Sequence, residues 1–182
     1  MKQPLSADLP FAEGYVLPID KPLGWTSSDV VRKIKVMMRR LGHRKIKVGH
    51  AGTLDPLATG VLIVCLGRAT KQAEALQAQP KEYLTTLALG ATTPSFDMEH
   101  PVDRTFPYEH ITRQMLEEAL RAMEGEQMQL PPVYSAKSID GKRAYEYARQ
   151  GTEVEMRRAP VTVYGMRLES FEPPRATLRI RC

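Results

Sequence analysis

At 182 residues the chain can bury one good-sized core, so one domain is the default count, and two cysteines, Cys65 and Cys182, give no disulfide framework. No apolar stretch is long enough to span a bilayer and the N-terminus lacks a signal-peptide core, which leaves the cytoplasm as the default location. The net charge of +5 is modest but unevenly placed: nine bases and one acid, Asp29, lie between Lys21 and Leu54, whereas Ser95 to Glu126 holds eight acids and three bases, as in a protein with one face turned to a polyanion.

Residues 1–12 carry two prolines and no periodicity and read as a flexible tail. Gly14 to Asp20 forms a first strand, closed by Pro22 and Gly24. Thr26, Ser27 or Ser28 then offers an N-cap for a helix running to Leu41, with Asp29 in its first turn, where the helix dipole favours an acid. Val30, Ile34, Met37 or Met38 and Leu41 make its apolar stripe, and Arg32, Lys35 and Arg39 share another face, open either to solvent or to phosphate.

The stretch from Val48 to Gly67, VGHAGTLDPLATGVLIVCLG, holds one carboxylate, Asp55, among Gly49, Gly52, Pro56 and Gly60. Glycines permit tight turns and close ligand approach, and Pro56 biases Asp55 toward extended backbone. Val61 to Leu66 reads as a short strand buried on both faces, with Cys65 a buried thiol, and such a strand anchors the loop before it. An Asp before Pro is ordinary turn chemistry; an acid in a loop on a rigid element is also how a catalytic group is presented.

Arg68 to Gln79 is alanine-rich and helical. Lys81 to Gly90 follows as an alternating strand, with Tyr83, Thr85, Leu87 and Leu89 facing one way. Gly90 to Pro101 is loop and contains Asp97. Thr112 opens a helix to Met123, with Ile111, Met115 or Leu116, Ala119 and Met123 on its apolar side. Pro131 and Pro132 precede an extended piece, Val133 to Ile139, and then a helix from Lys142 to Gln150 that Gly151 stops. Lys137, Lys142, Arg143 and Arg149 form a second basic group. Val161 to Leu168 and Ala176 to Cys182 are two paired strands separated by Pro173 and Pro174. His43, His50, His100 and His110 are scattered, with no Cys or His at ligand spacing, so no metal is expected.

GHAGTLDPLATGVL resembles the signature of the TruB family of pseudouridine synthases, whose nucleophilic aspartate falls at Asp55. IDKPLGWTSSDVV, KEYLTTLALGATTPSFD and PPVYSAKSIDGKRAYEYARQG agree in order and approximate spacing, and the resemblance runs from about Tyr15 to the end of the chain. It implies an α+β fold, a mainly antiparallel sheet flanked by helices, and isomerisation of a uridine in the T-loop of tRNA to pseudouridine. That reaction has no net redox change and needs no cofactor. It needs an anion beside sugar and base, a shielded pocket and a hold on the detached base.

By the same resemblance His50 helps seat the flipped-out nucleotide, Tyr83 packs on the target base, Asp97 matches a second family acid, and Lys21 of the KPxG motif contacts RNA or supports the catalytic loop. A solvated basic surface or a loop hydrogen bond is the competing reading for His50 and the lysines. Family members continue with a segment carrying an arginine that pairs with the catalytic aspartate. The expectation is therefore a catalytic domain over residues 13–182, incomplete at its C-terminal end, with Lys21, Arg68 and Lys137 as remaining candidate cations. It acts on tRNA as a monomer without a protein partner. A fragment that only binds RNA and a guide-RNA-dependent relative are the alternatives.

Overall fold

A computed structural model describes residues 9–135, 137–139, 141–152 and 154–182. Residues 1–79 and 80–182 form two compact units. Every recorded strand pair is antiparallel, in a mixed α+β arrangement.

In the first unit, β1 (Tyr15–Lys21) and β2 (Val48–His50) flank the central strand β3 (Gly60–Leu66). The register sets Lys21 opposite Gly60 and Tyr15 opposite Leu66. Helix α1 (Ser27–Arg40) starts at a capping box: the Thr26 hydroxyl accepts from the Asp29 amide and the Asp29 carboxylate accepts from the Thr26 amide. Its Val30, Val31, Ile34 and Met38 cover Val48, Leu62, Val64 and Leu66 of the sheet. Each such side chain contributes about 1.5–3 kcal/mol by leaving water. As expected, β3 buries Leu62, Val64 and Leu66 on one face and Cys65 on the other, but Ile63 is half-buried and Val61 at its start is 67% exposed. Burial pushes the Cys65 thiol up.

The tail expected over residues 1–12 ends sooner. Phe11 is fully buried, its ring 5.3 Å from that of Tyr15 and 5.2 Å from that of His43, and the Ala12 carbonyl accepts from the Arg68 amide. The reason lies at Gly67, where φ is +56° and a side chain would collide with the Phe11 and Ala12 carbonyl oxygens. Residues 1–8 lie outside the described residues. After β3 comes a 3₁₀ turn (Gly67–Gln72) and then α2 (Ala73–Gln77), in place of one continuous helix. The Thr70 hydroxyl donates to the Gly67 carbonyl three residues back, which favours the tighter winding.

In the second unit β12 (Arg175–Arg181) runs between β11 (Gly165–Glu172) and β4 (Glu82–Ala88). Ala176 and Leu178 of β12 are buried, matching the expected alternation. The strand foreseen over 161–168 is two strands, broken at Tyr164: β10 (Ala159–Val163) pairs with β7 (Gly125–Gln129), and β11 pairs with β12. Short pairs β5 (Ala91–Thr92) with β6 (Arg104–Thr105), and β8 (Ser138–Ile139) with β9 (Lys142–Arg143), complete the strands. Thr112 caps α3 (Arg113–Ala122) as expected, and α4 (Ala144–Arg149) follows β9. The inward residue of α3 is Leu120; of the alternatives Met115 or Leu116 it is Leu116 that is half-buried, while Ala119 and Met123, expected inside, are exposed.

Candidate active site

Two turns meet beside the mouth of β3. In the first, the Trp25 amide donates to the Pro22 carbonyl and Gly24 takes φ +79°, the third-position conformation that a type II turn requires. In the second, the Ala58 amide donates to the Asp55 carbonyl across Pro56 and Leu57. Two ties join them: the Gly24 amide donates to the Pro56 carbonyl at 2.8 Å, and the Ser27 hydroxyl accepts from the Leu54 amide at 2.9 Å while donating to the Leu54 carbonyl at 3.1 Å. With residue 24 tied to 56 and 27 to 54, Asp55 falls in the register between Trp25 and Thr26. Ser27 is the first residue of α1, so the Asp55 loop sits at the positive end of that helix dipole. Asp55 itself is exposed, so its carboxylate is not sealed in the interior.

Lys21 welds this junction. Its side chain is fully buried, and Nζ donates to the carbonyls of Trp25 (2.6 Å), Pro22 (3.2 Å) and Pro56 (3.4 Å). An ammonium has three protons, and all three are spent on backbone. Of the two roles expected for Lys21, RNA contact or support of the catalytic loop, its burial and these three carbonyl partners favour support. Neither does it remain as a cation for Asp55. Arg68, the other candidate in this unit, follows β3 at its far end, seven residues or roughly 20 Å of strand away from the Asp55 end.

His50 ends β2, half-buried, with Nδ1 2.7 Å from the Gly52 carbonyl. A carbonyl only accepts, so Nδ1 carries the proton and Nε2 is left for another partner. His50 and Gly49 line an open depression of about 380 Å³ with Ser28, Val31, Arg32 and Lys35 of α1. Arg32 is also 2.6 Å from Asp29. The Thr26 hydroxyl, then the Thr26 amide and Arg32, hold the Asp29 carboxyl below its ordinary value. Of the expected basic face, Arg32 and Lys35 line the depression and Arg39 does not.

A second depression, of about 290 Å³, is lined by four exposed cations, Lys45, Lys47, Arg68 and Lys71, together with Ala12, Ile46, Gly67 and Thr70. None of the four is in an ion pair among the described residues. Sequence reasoning counted Lys45 and Lys47 as basic surface but had no means of adding Arg68 and Lys71, which the turn after β3 brings to them.

In the second unit Tyr83 lies on β4 opposite Ile180 and is 41% exposed. Asp97 organises its own loop: Oδ1 accepts from the Ser95 hydroxyl at 2.6 Å and the Glu99 amide at 3.0 Å, and the Thr93 hydroxyl donates to the Asp97 carbonyl at 2.6 Å. Lys137 and Lys142 are exposed; the side chains of Arg143 and Arg149 lie outside the described residues. Among the described residues no group of three His, Cys, Asp or Glu side chains is placed to hold a metal ion, and no helix is long and apolar enough to cross a membrane.

Residues 39–182 match the family described as TruB family pseudouridylate synthase, N terminal domain. The chain belongs to that family. It is 54% identical over 173 residues to tRNA pseudouridine synthase B of Phocaeicola vulgatus, covering 94% of this chain and 74% of that protein. The protein of the same name from Bacteroides fragilis is 51% identical over the same shares. In three dimensions the chain is similar to one in the crystal structure of a Cbf5-Nop10-Gar1 complex, with a TM-score of 0.67 and 26% identity, covering 97% of this chain and 41% of the other. The TruB-family chain is thus a pseudouridine synthase, an isomerase of uridine in RNA.

Proposed function

We propose that the chain converts a uridine in the T-loop of tRNA to pseudouridine, with Asp55 as the nucleophile acting on a flipped-out nucleotide. The observation that carries this reading is the setting of Asp55: an exposed carboxylate at the first position of a turn that is tied on one flank to Ser27 at the start of α1 and on the other to Gly24 in the turn before it. Positioning of that stiffness holds an attacking group near its target without further ordering on binding.

In the reaction the bond between uracil N1 and ribose C1′ breaks, the ring turns, and C5 bonds to C1′ while its proton leaves to solvent and N1 takes one up. The net change is an isomerisation, with no cofactor. An ionised carboxylate suits the positive charge that develops on the sugar, whether Asp55 meets the sugar or the base. His50, with Nε2 available, seats the extruded nucleotide, and Tyr83 supplies a stacking face. Lys35, Arg32 and the four-cation hollow meet phosphates, which position the RNA without reading it. Asp97 shapes its loop and meets RNA only through it.

The higher identity to proteins named tRNA pseudouridine synthase B than to a chain from a Cbf5 complex supports action on tRNA, and action as a cytoplasmic monomer without a protein partner is part of the same proposal. The test is release of C5 tritium from uridine-labelled T-arm hairpin RNA. Stoichiometric release from one loop uridine by this chain alone is the expected result; binding of the hairpin with no release supports the RNA-binding module instead.

A further inference from the structure

Trp25 is the sole tryptophan of the chain and is 39% exposed. Trp25 thereby forgoes part of the burial free energy of its indole, and its backbone is held firmly. Its carbonyl accepts the shortest of the three Lys21 bonds, at 2.6 Å, and its amide closes the turn on Pro22. The next residue, Thr26, is the N-cap of α1. Backbone restraint on both sides thus fixes the point from which a partly exposed aromatic ring extends. The ties from 24 to 56 and from 27 to 54 place that point across the seam from Asp55. Both turns also show apolar side chains to solvent, Leu23 at 64% and Leu57 at 44% exposure.

From this we infer that Trp25 is a stacking platform for a nucleobase of the RNA, a positioning residue next to the reacting nucleotide. The inference rests on the proposed reading of Asp55 and adds to it a residue that the family signature around Asp55 does not contain. A planar, apolar ring with a π-face is the chemistry that holds an unpaired base whatever its identity. Extruding one nucleotide leaves its neighbours unstacked, and a ring fixed beside the nucleophile takes up the face they lose. Leu23 and Leu57 provide an apolar border that excludes water from the stack. A protein segment seated on the same apolar surface is the competing occupant.

The experiment follows from there being one tryptophan. The intact chain is titrated with an unlabelled T-arm hairpin RNA while indole emission is read, and the anisotropy of a dye-labelled copy of the hairpin is read in parallel. Steady-state C5 tritium release is measured for the parent, Trp25→Phe, Trp25→Leu and Trp25→Ala. Circular dichroism melts check that each variant is folded. Stacking predicts quenching of indole emission that saturates with the anisotropy. It also predicts a KM raised about tenfold or more in the Leu and Ala variants with kcat changed less, and recovery to within about threefold of the parent by Phe, which keeps a ring.

Emission that stays flat while anisotropy reports full binding overturns the platform and leaves the proposed reaction standing. So does a Leu variant as good as Phe, which assigns the position to apolar packing. Absence of hairpin binding by anisotropy overturns the platform and the proposed function together.

Discussion

Strands β3 and β4 are both seven-residue apolar-rich segments, yet they live in opposite surroundings. β3 has a strand on each side and α1 across one face, so Leu62, Val64 and Leu66 are all but sealed. Among the described residues β4 has only β12 beside it, and Tyr83, Leu84 and Leu87 are 41%, 62% and 39% exposed. Alternating apolar residues announce a strand, but whether it is central or at an edge depends on which other strands find it. For function the difference matters because the Asp55 loop leads into β3. A carboxylate whose loop leads into the more deeply packed of the two strands keeps its geometry, as the nucleophile proposed for Asp55 requires, whereas a ring on an edge strand such as Tyr83 is exposed to whatever docks there.

The contrast predicts unequal costs. Leu62→Ala, at 2% exposure, should lower unfolding free energy by about 3 kcal/mol in urea melts, while Leu84→Ala should cost under about 1 kcal/mol. Equal costs would mean that β4 is as deeply packed in solution as β3. Lys21→Met separates the support of the loop from the core beneath it. It removes a buried cation and its bond to the Trp25 carbonyl, while the Pro22 and Pro56 carbonyls keep the Trp25 and Gly24 amides, for a loss of about 2–3 kcal/mol and a fall in turnover. A variant as stable and active as the parent would show that the two turns hold each other without the lysine.

The mildest effect belongs to the second unit's exposed ion network. Arg179 lies 2.7 Å from both Glu169 and Glu82, and its hydrogen bond to Glu169, before any other cause, holds that carboxyl below its ordinary value of 4.5. A folded-state value below the unfolded one stabilises at pH above the unfolded value and is lost as pH falls through the folded one. Melting temperature should therefore drop between about pH 5 and about pH 3 more steeply in the parent than in Arg179→Met. Parallel slopes would show that the pair is formed no more in the native state than in the unfolded one. Asp29, lowered chiefly by the Thr26 hydroxyl, adds a slope of the same sign that persists in both proteins.

Much of the first unit could be read from the residues. Thr26 and Asp29 fix the start of α1, the i, i+4 spacing of Val30, Ile34 and Met38 fixes its inner face, and a continuous apolar run marks β3. In the second unit Ala176 and Leu178 gave β12 its direction. Other features leave no local trace. The β7 sequence, GEQMQ, is fully exposed and has no apolar alternation, so only its pairing with β10 makes it a strand. The Lys21 role depends on a carbonyl 35 positions away, and a lysine in a basic segment carries no mark of burial. The four-cation hollow forms because the chain after β3 returns to the α1–β2 loop. The Asp55 motif was legible as chemistry; the seam that ties Leu54 to Ser27 and Pro56 to Gly24 on either side of it was not, since it takes two hydrogen-bonded ties between distant turns.

The most direct test is single-turnover release of C5 tritium from T-arm hairpin RNA by Asp55→Asn, with hairpin affinity measured on the same samples. A fall of at least about a thousandfold in rate with affinity within about threefold of the parent is the predicted result. Release at a rate near that of the parent, or loss of RNA binding with loss of release, would contradict a catalytic Asp55.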